Sequence, residues 1–277
     1  MKGFLFGSAL ILLGLVVLGL SVTMSAESVK RNADLLKLSV FDRLDDEIKA
    51  TQNGYRELLS YFIKIKVHGN NVTFSETLKD TSASDFFTFA SNFKTFVEKN
   101  SSFDIKIDLT GITNKLPLRI KPIDILYNHP LDFGDKRIEV TNVQNVVGYN
   151  ITVLLNKTGA TPVEWDEGPV NDFTGLRVSI VTGGHTGNDF TFSGNLSRTE
   201  LSKLRIKVPG EDMTVEIGDV NVPGRLRITN DNTATAAFVN TTITVNATNL
   251  YVGFPDQTIN ITAEEYNISK IDLVRIA

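Results

Sequence analysis

The sequence predicts an α+β protein. A long N-terminal helix, transmembrane and then amphipathic, precedes a mainly antiparallel β-sandwich head with one short helix. Three observations carry that expectation. No charged residue lies between Lys2 and Glu27, an uncharged run of 24 residues. Beyond it, apolar residues recur at helical spacing as far as Phe62. From Ile63 onward the period drops to two, and short alternating runs are separated by Gly, Pro, Asn and Asp clusters.

Residues 1–26 form the first segment. At about 1.5 Å per residue the uncharged run is roughly 36 Å long, enough to cross a hydrocarbon core of about 30 Å. Lys2 before the run places the N-terminus inside and the rest of the chain outside, in a single-pass arrangement in the cell membrane with lipid as its first partner. The run is longer than the apolar part of a cleavable secretory signal, although Thr23-Met24-Ser25 supplies a weak small-x-small site whose use would free a soluble protein. Gly3 and Gly7 are spaced for close helix packing in a membrane, as glycines in membrane helices often are.

Residues 27–66 read as an amphipathic continuation of the same helix. Val29, Ala33, Leu36 and Val40 fall at steps of four, three and four, and Phe41, Leu44, Ile48, Tyr55, Leu59 and Phe62 extend the seam. No proline interrupts the chain up to Phe62, and Gly54 is the only glycine after the uncharged run. Asp42, Asp45, Asp46 and Glu47 read as a solvated face.

The start of the chain resembles the short-leader archaeal type IV pilin-like proteins. Met1-Lys2-Gly3 followed by Phe4-Leu5 and an apolar helix matches that family's processing pattern, in which a peptidase cuts after a glycine preceded by a basic residue. The resemblance implies processing at Lys2, Gly3 and Phe4, with Phe4 as the new N-terminus. It also implies a long helix supporting a β-rich head, and like subunits or other pilin-like proteins as partners through that helix. Ser8 stands at the fifth mature position, where many bacterial pilins carry a glutamate that helps subunits register in a filament.

The head, residues 67–277, opens with His68-Gly69-Asn70-Asn71, a turn signal. Ser82 to Asp85 resembles a capping box for the short helix, whose Phe86, Phe89, Phe93 and Phe96 read as one core-facing stripe. Alternating runs at 103–109, 118–121, 151–155, 204–208, 213–217, 226–229, 243–245, 259–261 and 271–276 read as strands. The triplets Leu-Arg-Ile or Leu-Arg-Val at 118, 176, 204 and 226 have no constant period, so they mark no repeat. The acidic stretch 165–172, containing Gly168-Pro169, is the candidate divide between two subdomains.

Acceptor triplets for N-glycosylation stand at Asn71, Asn100, Asn150, Asn156, Asn195, Asn240, Asn246, Asn260 and Asn267. With 23 Asn and 45 Ser plus Thr among 277 residues, chance gives about four such triplets. The excess lies wholly on the side placed outside, where glycans would sit on solvent-facing strand edges and turns.

Chemistry is sparsely signalled. Net charge is −4, without the basic field of a nucleic-acid partner, and cysteine is absent, which removes disulfides, thiolate metal sites and a cysteine nucleophile. That absence also favours a prokaryotic surface protein. His68, His129 and His185 share no ligand spacing, and Gly183-Gly-His-Thr-Gly187 reads as a turn. Trp165-Asp-Glu167 and Asn230-Asp-Asn232 carry oxygen ligands without calcium-loop spacing. No catalytic, metal or cofactor site is expected. The sequence reading is therefore a pilin-like, membrane-anchored extracellular structural or adhesion protein, a filament or pseudopilus subunit being one form of it. The alternative is an anchored or secreted β-sandwich domain that binds or hydrolyses polysaccharide, with surface glycans as partners.

Overall fold

The structure is a computed structural model that describes residues 2–78, 86–113, 116–128, 137–156, 162–184, 187–208, 212–231 and 235–276. Side chains are described from Val17 onward, apart from residues 112, 113, 187–189, 255 and 256. Helix α1, Lys2–Ser60, is continuous. Its stop at Ser60 corrects the expected boundary at residue 66. Ile63, Ile65 and Val67 alternate with lysines and are used as a strand, β1 (Ile63–His68), which turns directly into β2 (Asn71–Leu78). Val40, Leu44, Ile48, Thr51, Tyr55 and Leu59 are buried along one stripe of α1, and every residue from 17 to 39 is exposed.

Helix α2 (Phe86–Asn100) follows, then β3 (Asp104–Ile107) and a single helical turn, α3 (Thr110–Thr113), additional to the one short helix expected. The buried stripe of α2 runs through Phe86, Ala90, Phe93 and Val97, at steps of four, three and four. Phe89 and Phe96 lie off that stripe and are exposed, correcting the four-phenylalanine face read from the sequence. The Ser82–Asp85 capping box lies outside the described residues.

The remaining strands are β4 (Leu118–Lys121), β5 (Ile125–Asn128), β6 (Arg137–Thr141), β7 (Val146–Leu155), β8 (Val163–Glu167), β9 (Asn171–Gly184), β10 (Gly187–Leu196), β11 (Ser202–Ile206), β12 (Met213–Ile217), β13 (Leu226–Asn230), β14 (Ala237–Val245), β15 (Tyr251–Ala263) and β16 (Ile268–Arg275). They form a six-stranded sheet ordered β1-β2-β14-β7-β9-β10 and a ten-stranded sheet ordered β16-β15-β4-β5-β6-β13-β12-β11-β8, with β3 also on β15. Among the described residues every pairing is antiparallel except β7 with β9. Between those two strands the chain crosses to the other sheet to make β8, so it returns in the direction it left. Residues 165–172, the expected divide, thus contribute to both sheets: β8 pairs with β11, and Asn171 opens β9.

The two sheets face each other across a shared core that also takes in α1 and α2. Phe74 of β2 stacks on Tyr127 of β5 with ring centroids 3.7 Å apart. Helix α1 closes the side of this arrangement, packing against β1 at the edge of one sheet and β15 and β16 at the edge of the other. Gln52 Nε2 donates to the Leu273 carbonyl at 3.1 Å, Arg56 Nε donates to the Ile276 carbonyl at 2.6 Å, and Lys270 pairs with Asp45. Asp45 is therefore half-buried in an ion pair, not part of a fully solvated acidic face. Phe41, expected in the seam, is exposed and lies under the Lys270 ammonium at 5.3 Å.

Among the described residues no helix is long and apolar enough to cross a membrane. The stretch Gly3–Val16 of the uncharged run, whose side chains are not described, lies outside that finding.

Gly54 has a steric explanation. A Cβ built there would sit 2.3 Å from the Phe93 ring of α2, and the same ring meets Tyr55 edge-on at 4.8 Å. Replacing Gly54 by Leu should therefore cost about 1–3 kcal/mol through overpacking, read as a lower denaturation midpoint in urea. Ala50→Leu, on the exposed side of the same helix, should leave the midpoint nearly unchanged.

Candidate functional site

Two surfaces stand out, and neither is a deep cleft. The first is the exposed length of α1. Residues 17–39 project about 34 Å beyond the first buried residue, Val40, at 1.5 Å per residue. Val17, Leu18, Leu20, Val22, Val29, Leu35, Leu36 and Leu38 all face outward, with Leu18 64% exposed. Val29, Ala33 and Leu36 continue the stripe that buries α1 in the head, so a seam filled by the sheets above Val40 has no filling below it. Lys2, Gly3 and Phe4 lie at the start of the helix among residues whose side chains are not described.

The second surface is the outer face of the six-stranded sheet. Strand register lines up its side chains in rows, three of which surround the site. The first row is His68, Asn71, Thr244, Gly148, Arg177 and Asn195. Next come Lys66, Thr73, Thr242, Asn150, Ser179 and Ser193, and then Lys64, Ser75, Asn240, Thr152, Val181 and Thr191. Hydroxyls and amides bond along the rows: Thr244 Oγ1 donates to Asn71 Oδ1 at 2.7 Å, and Thr73 and Thr242 share a bond of 2.9 Å. These rows contain three permanent cations and no carboxylate. No described acidic side chain pairs with Lys64, Lys66 or Arg177. A groove of about 430 Å³ opens beside Arg177, bordered by Val147, Asn150, Ser193 and Thr244. Its floor is Gly148, where a Cβ would come 2.4 Å from the Arg177 carbonyl oxygen.

The outer face of the ten-stranded sheet is the opposite electrically. Arg227 lies 3.1 Å from Glu139 and 3.6 Å from Glu216, and Glu216 is also 3.6 Å from Lys203. Arg205 reaches Asp166 at 2.5 Å and Lys207 reaches Glu164 at 2.8 Å. That face neutralises itself strand by strand. Asp166 of the Trp165-Asp-Glu167 stretch is thus an ion-pair partner, while Trp165 packs edge-on against Phe192 at 5.1 Å.

The nine glycosylation triplets divide into two groups. Asn71, Asn150, Asn195 and Asn240 lie in the rows just described, and Asn260 is on β15. In these five the middle residue (Val72, Ile151, Leu196, Thr241 or Ile261) is fully buried. In four of them, all but the Asn195 triplet, whose Ser197 is buried past the end of β10, an outward Asn, an inward residue and an outward Thr are what strand alternation produces when the outer face is amide- and hydroxyl-rich. Asn150 and Asn240 are on central strands, not at the edges the sequence suggested. The other four, Asn100, Asn156, Asn246 and Asn267, are exposed at element ends, and Asn267 is in the left-handed region at φ 51°.

The sparse chemical motifs do not converge. His68 is exposed at the end of β1, and His129 and His185 lie outside the described residues. Asn230 is buried and donates Nδ2 to the Leu78 and Thr235 carbonyls, while Asn232 lies outside the described residues. Among the described residues no group of three or more His, Cys, Asp or Glu is placed to hold a metal ion. A second depression of about 330 Å³ lies where α1 leaves the head, beside Arg43, Phe103 and Glu265, with the Arg43 guanidinium 5.2 Å from the Phe103 ring centre.

Glu76 was not singled out by the sequence, where it is one acidic residue in a polar strand. It points inward from β2 and is 5% exposed. Tyr127 Oη, from the facing sheet, donates to its Oε1. Burial pushes the carboxyl up to about 8, against the weaker downward pull of the tyrosine hydrogen bond.

Comparison with protein-family models, curated proteins and solved structures finds no match.

Glu76 yields a pH dependence. The unfolded chain loses this proton near 4.5, and the folded chain holds it to about 8. Stability should therefore fall as pH rises through that window, by at most about 1.4 kcal/mol per pH unit. Glu76→Gln keeps the shape and removes the titration. Its melting temperature relative to the parent should climb from pH 4 to pH 8; a constant offset would assign the pH dependence to other groups.

Proposed function

We propose that this chain is a single-pass, pilin-like surface protein that carries a β-rich head outside the cell on its N-terminal helix, with a structural or adhesive role. One observation carries the reading. The uncharged run and the stripe buried in the head belong to one unbroken helix, and the length between them exposes Val29, Leu35, Leu36 and Leu38. Leaving such a surface in water is unfavourable by roughly 25 cal/mol per Å² of apolar area. A bilayer covers the first part of it, and neighbouring helices of like subunits or other pilin-like proteins cover the seam of Val29, Ala33 and Leu36.

Lys2-Gly3-Phe4 is the processing site in this reading, and the sandwich head lies entirely on the far side of the membrane. Its sugars are carried at the exposed element ends, Asn100, Asn156, Asn246 and Asn267. At those positions the acceptor amide is free of the sheet face and the triplet does not follow from strand alternation.

Mass spectrometry of the native N-terminus, on protein taken separately from membranes and medium, tests the reading. The mature chain should begin at Phe4 in the membrane fraction, and Gly3→Leu should leave the leader attached. A chain beginning at Met1 would reduce the protein to a plain signal anchor. One beginning at Ala26 and found in the medium would make it a secreted protein.

A further inference from the structure

We propose that the outer face of the six-stranded sheet is an adhesion surface for an acidic polysaccharide, whose carboxylate or sulfate groups seat on Arg177 in the groove above Gly148. The proposal rests on the reading of the head as an extracellular adhesive module, and it names the face and the ligand chemistry.

Charge complementarity selects the ligand. The chain is acidic overall, yet this face collects Lys64, Lys66 and Arg177 with no described carboxylate to neutralise them, while the opposite face of the head pairs its charges. A guanidinium offers a planar fork that fits a carboxylate or sulfate through two parallel hydrogen bonds. Around it, Asn150, Ser179, Ser193 and Thr244 supply amides and hydroxyls, the groups that hydrogen-bond sugar hydroxyls. Val147, 43% exposed at the rim, offers an apolar contact for a ring face. Gly148 keeps the floor low, since any side chain there would collide with the Arg177 backbone. Lys64 and Lys66 lie on β1 at one edge of the sheet, with β2, β14 and β7 between them and Arg177 on β9. An extended, repeating polyanion bridges that distance, and a single small anion does not.

This assignment requires an unmodified Asn150, because a glycan there would fill the groove. It therefore gives the strand triplets a role different from that of the triplets at the element ends.

The test uses the full-length protein in detergent micelles, titrated by calorimetry at low salt with polygalacturonate, neutral dextran and a DNA duplex of matched charge. Polygalacturonate should bind, dextran should not, and DNA should bind more weakly than polygalacturonate. Arg177→Gln should weaken the polyuronate about tenfold or more, the usual worth of a charged hydrogen-bonded contact. Ser193→Glu, which adds a carboxylate at an exposed position beside it, should weaken binding as well. Lys37→Gln, the same charge change on the exposed helix, should leave binding unaltered, and melting curves should show all three variants folded. Equal losses from Arg177→Gln and Lys37→Gln would overturn the proposal, as would dextran or DNA binding as tightly as polygalacturonate. So would a glycan on Asn150 of the native protein. Absence of all binding would remove this surface and leave the anchored reading standing, since that reading is decided by the mature N-terminus.

Discussion

The contact on which the rest of the structure depends is the burial of one stripe of α1, from Val40 to Leu59, against the side of the two sheets. The two sheets present β1 and β16 as neighbouring edges, and an open edge with unpaired backbone groups invites unwanted pairing. Helix α1 covers both edges. Its apolar stripe fills the side of the core, and Gln52 and Arg56 cap the carbonyls of the last strand and the residue after it. The head is thus built onto the helix, and the same helix continues past Val40 with its seam exposed. An element that is core at one end and unpartnered apolar surface at the other couples the fold of the head to whatever receives the remainder.

The two outer faces of the head show how one composition can serve two purposes. On the ten-stranded sheet, Arg and Lys alternate with Glu and Asp across neighbouring strands. Each exposed pair there contributes at most about 1 kcal/mol, and together they leave no net field. On the six-stranded sheet the outward positions are mostly Asn, Thr and Ser, with a few cations that no described carboxylate pairs with. Such a face is soluble without being repulsive, and it keeps its hydrogen-bonding capacity available to an external partner.

Much of this was legible in the sequence, for identifiable reasons. The step of threes and fours from Val29 to Leu59 marked the helix and its buried side, because helix periodicity is a local property. Alternation likewise marked β4, β12 and β13. The Leu-Arg-Ile triplets at 118, 204 and 226 all put Leu and Ile inward and Arg outward in the same sheet. They carry no sequence period because the strand order is not the chain order. What was not legible depends on pairing between distant strands. Arg177 is a neighbour of Asn195 and Gly148 only through register, and Glu76 is a core residue only because Tyr127 faces it from the other sheet. The sequence alone does not choose the stripe of α2, because Phe89 and Phe96 are as apolar as Phe86 and Phe93. Only the packing against Tyr55 and Phe62 chooses between the two nearly equivalent faces.

The central claim, that α1 completes the core of the head, is tested most directly by the thermal melts of two shortened chains, one beginning at Ala26 and one at Tyr61. Burying each of Val40, Leu44, Ile48, Tyr55 and Leu59 contributes roughly 1.5–3 kcal/mol, so their joint loss is comparable to the whole stability of a domain, about 5–15 kcal/mol. The account predicts a cooperative melt for the chain beginning at Ala26, and aggregation or a much lower midpoint for the chain beginning at Tyr61. Equal midpoints would show the helix to be a spacer and would contradict the account.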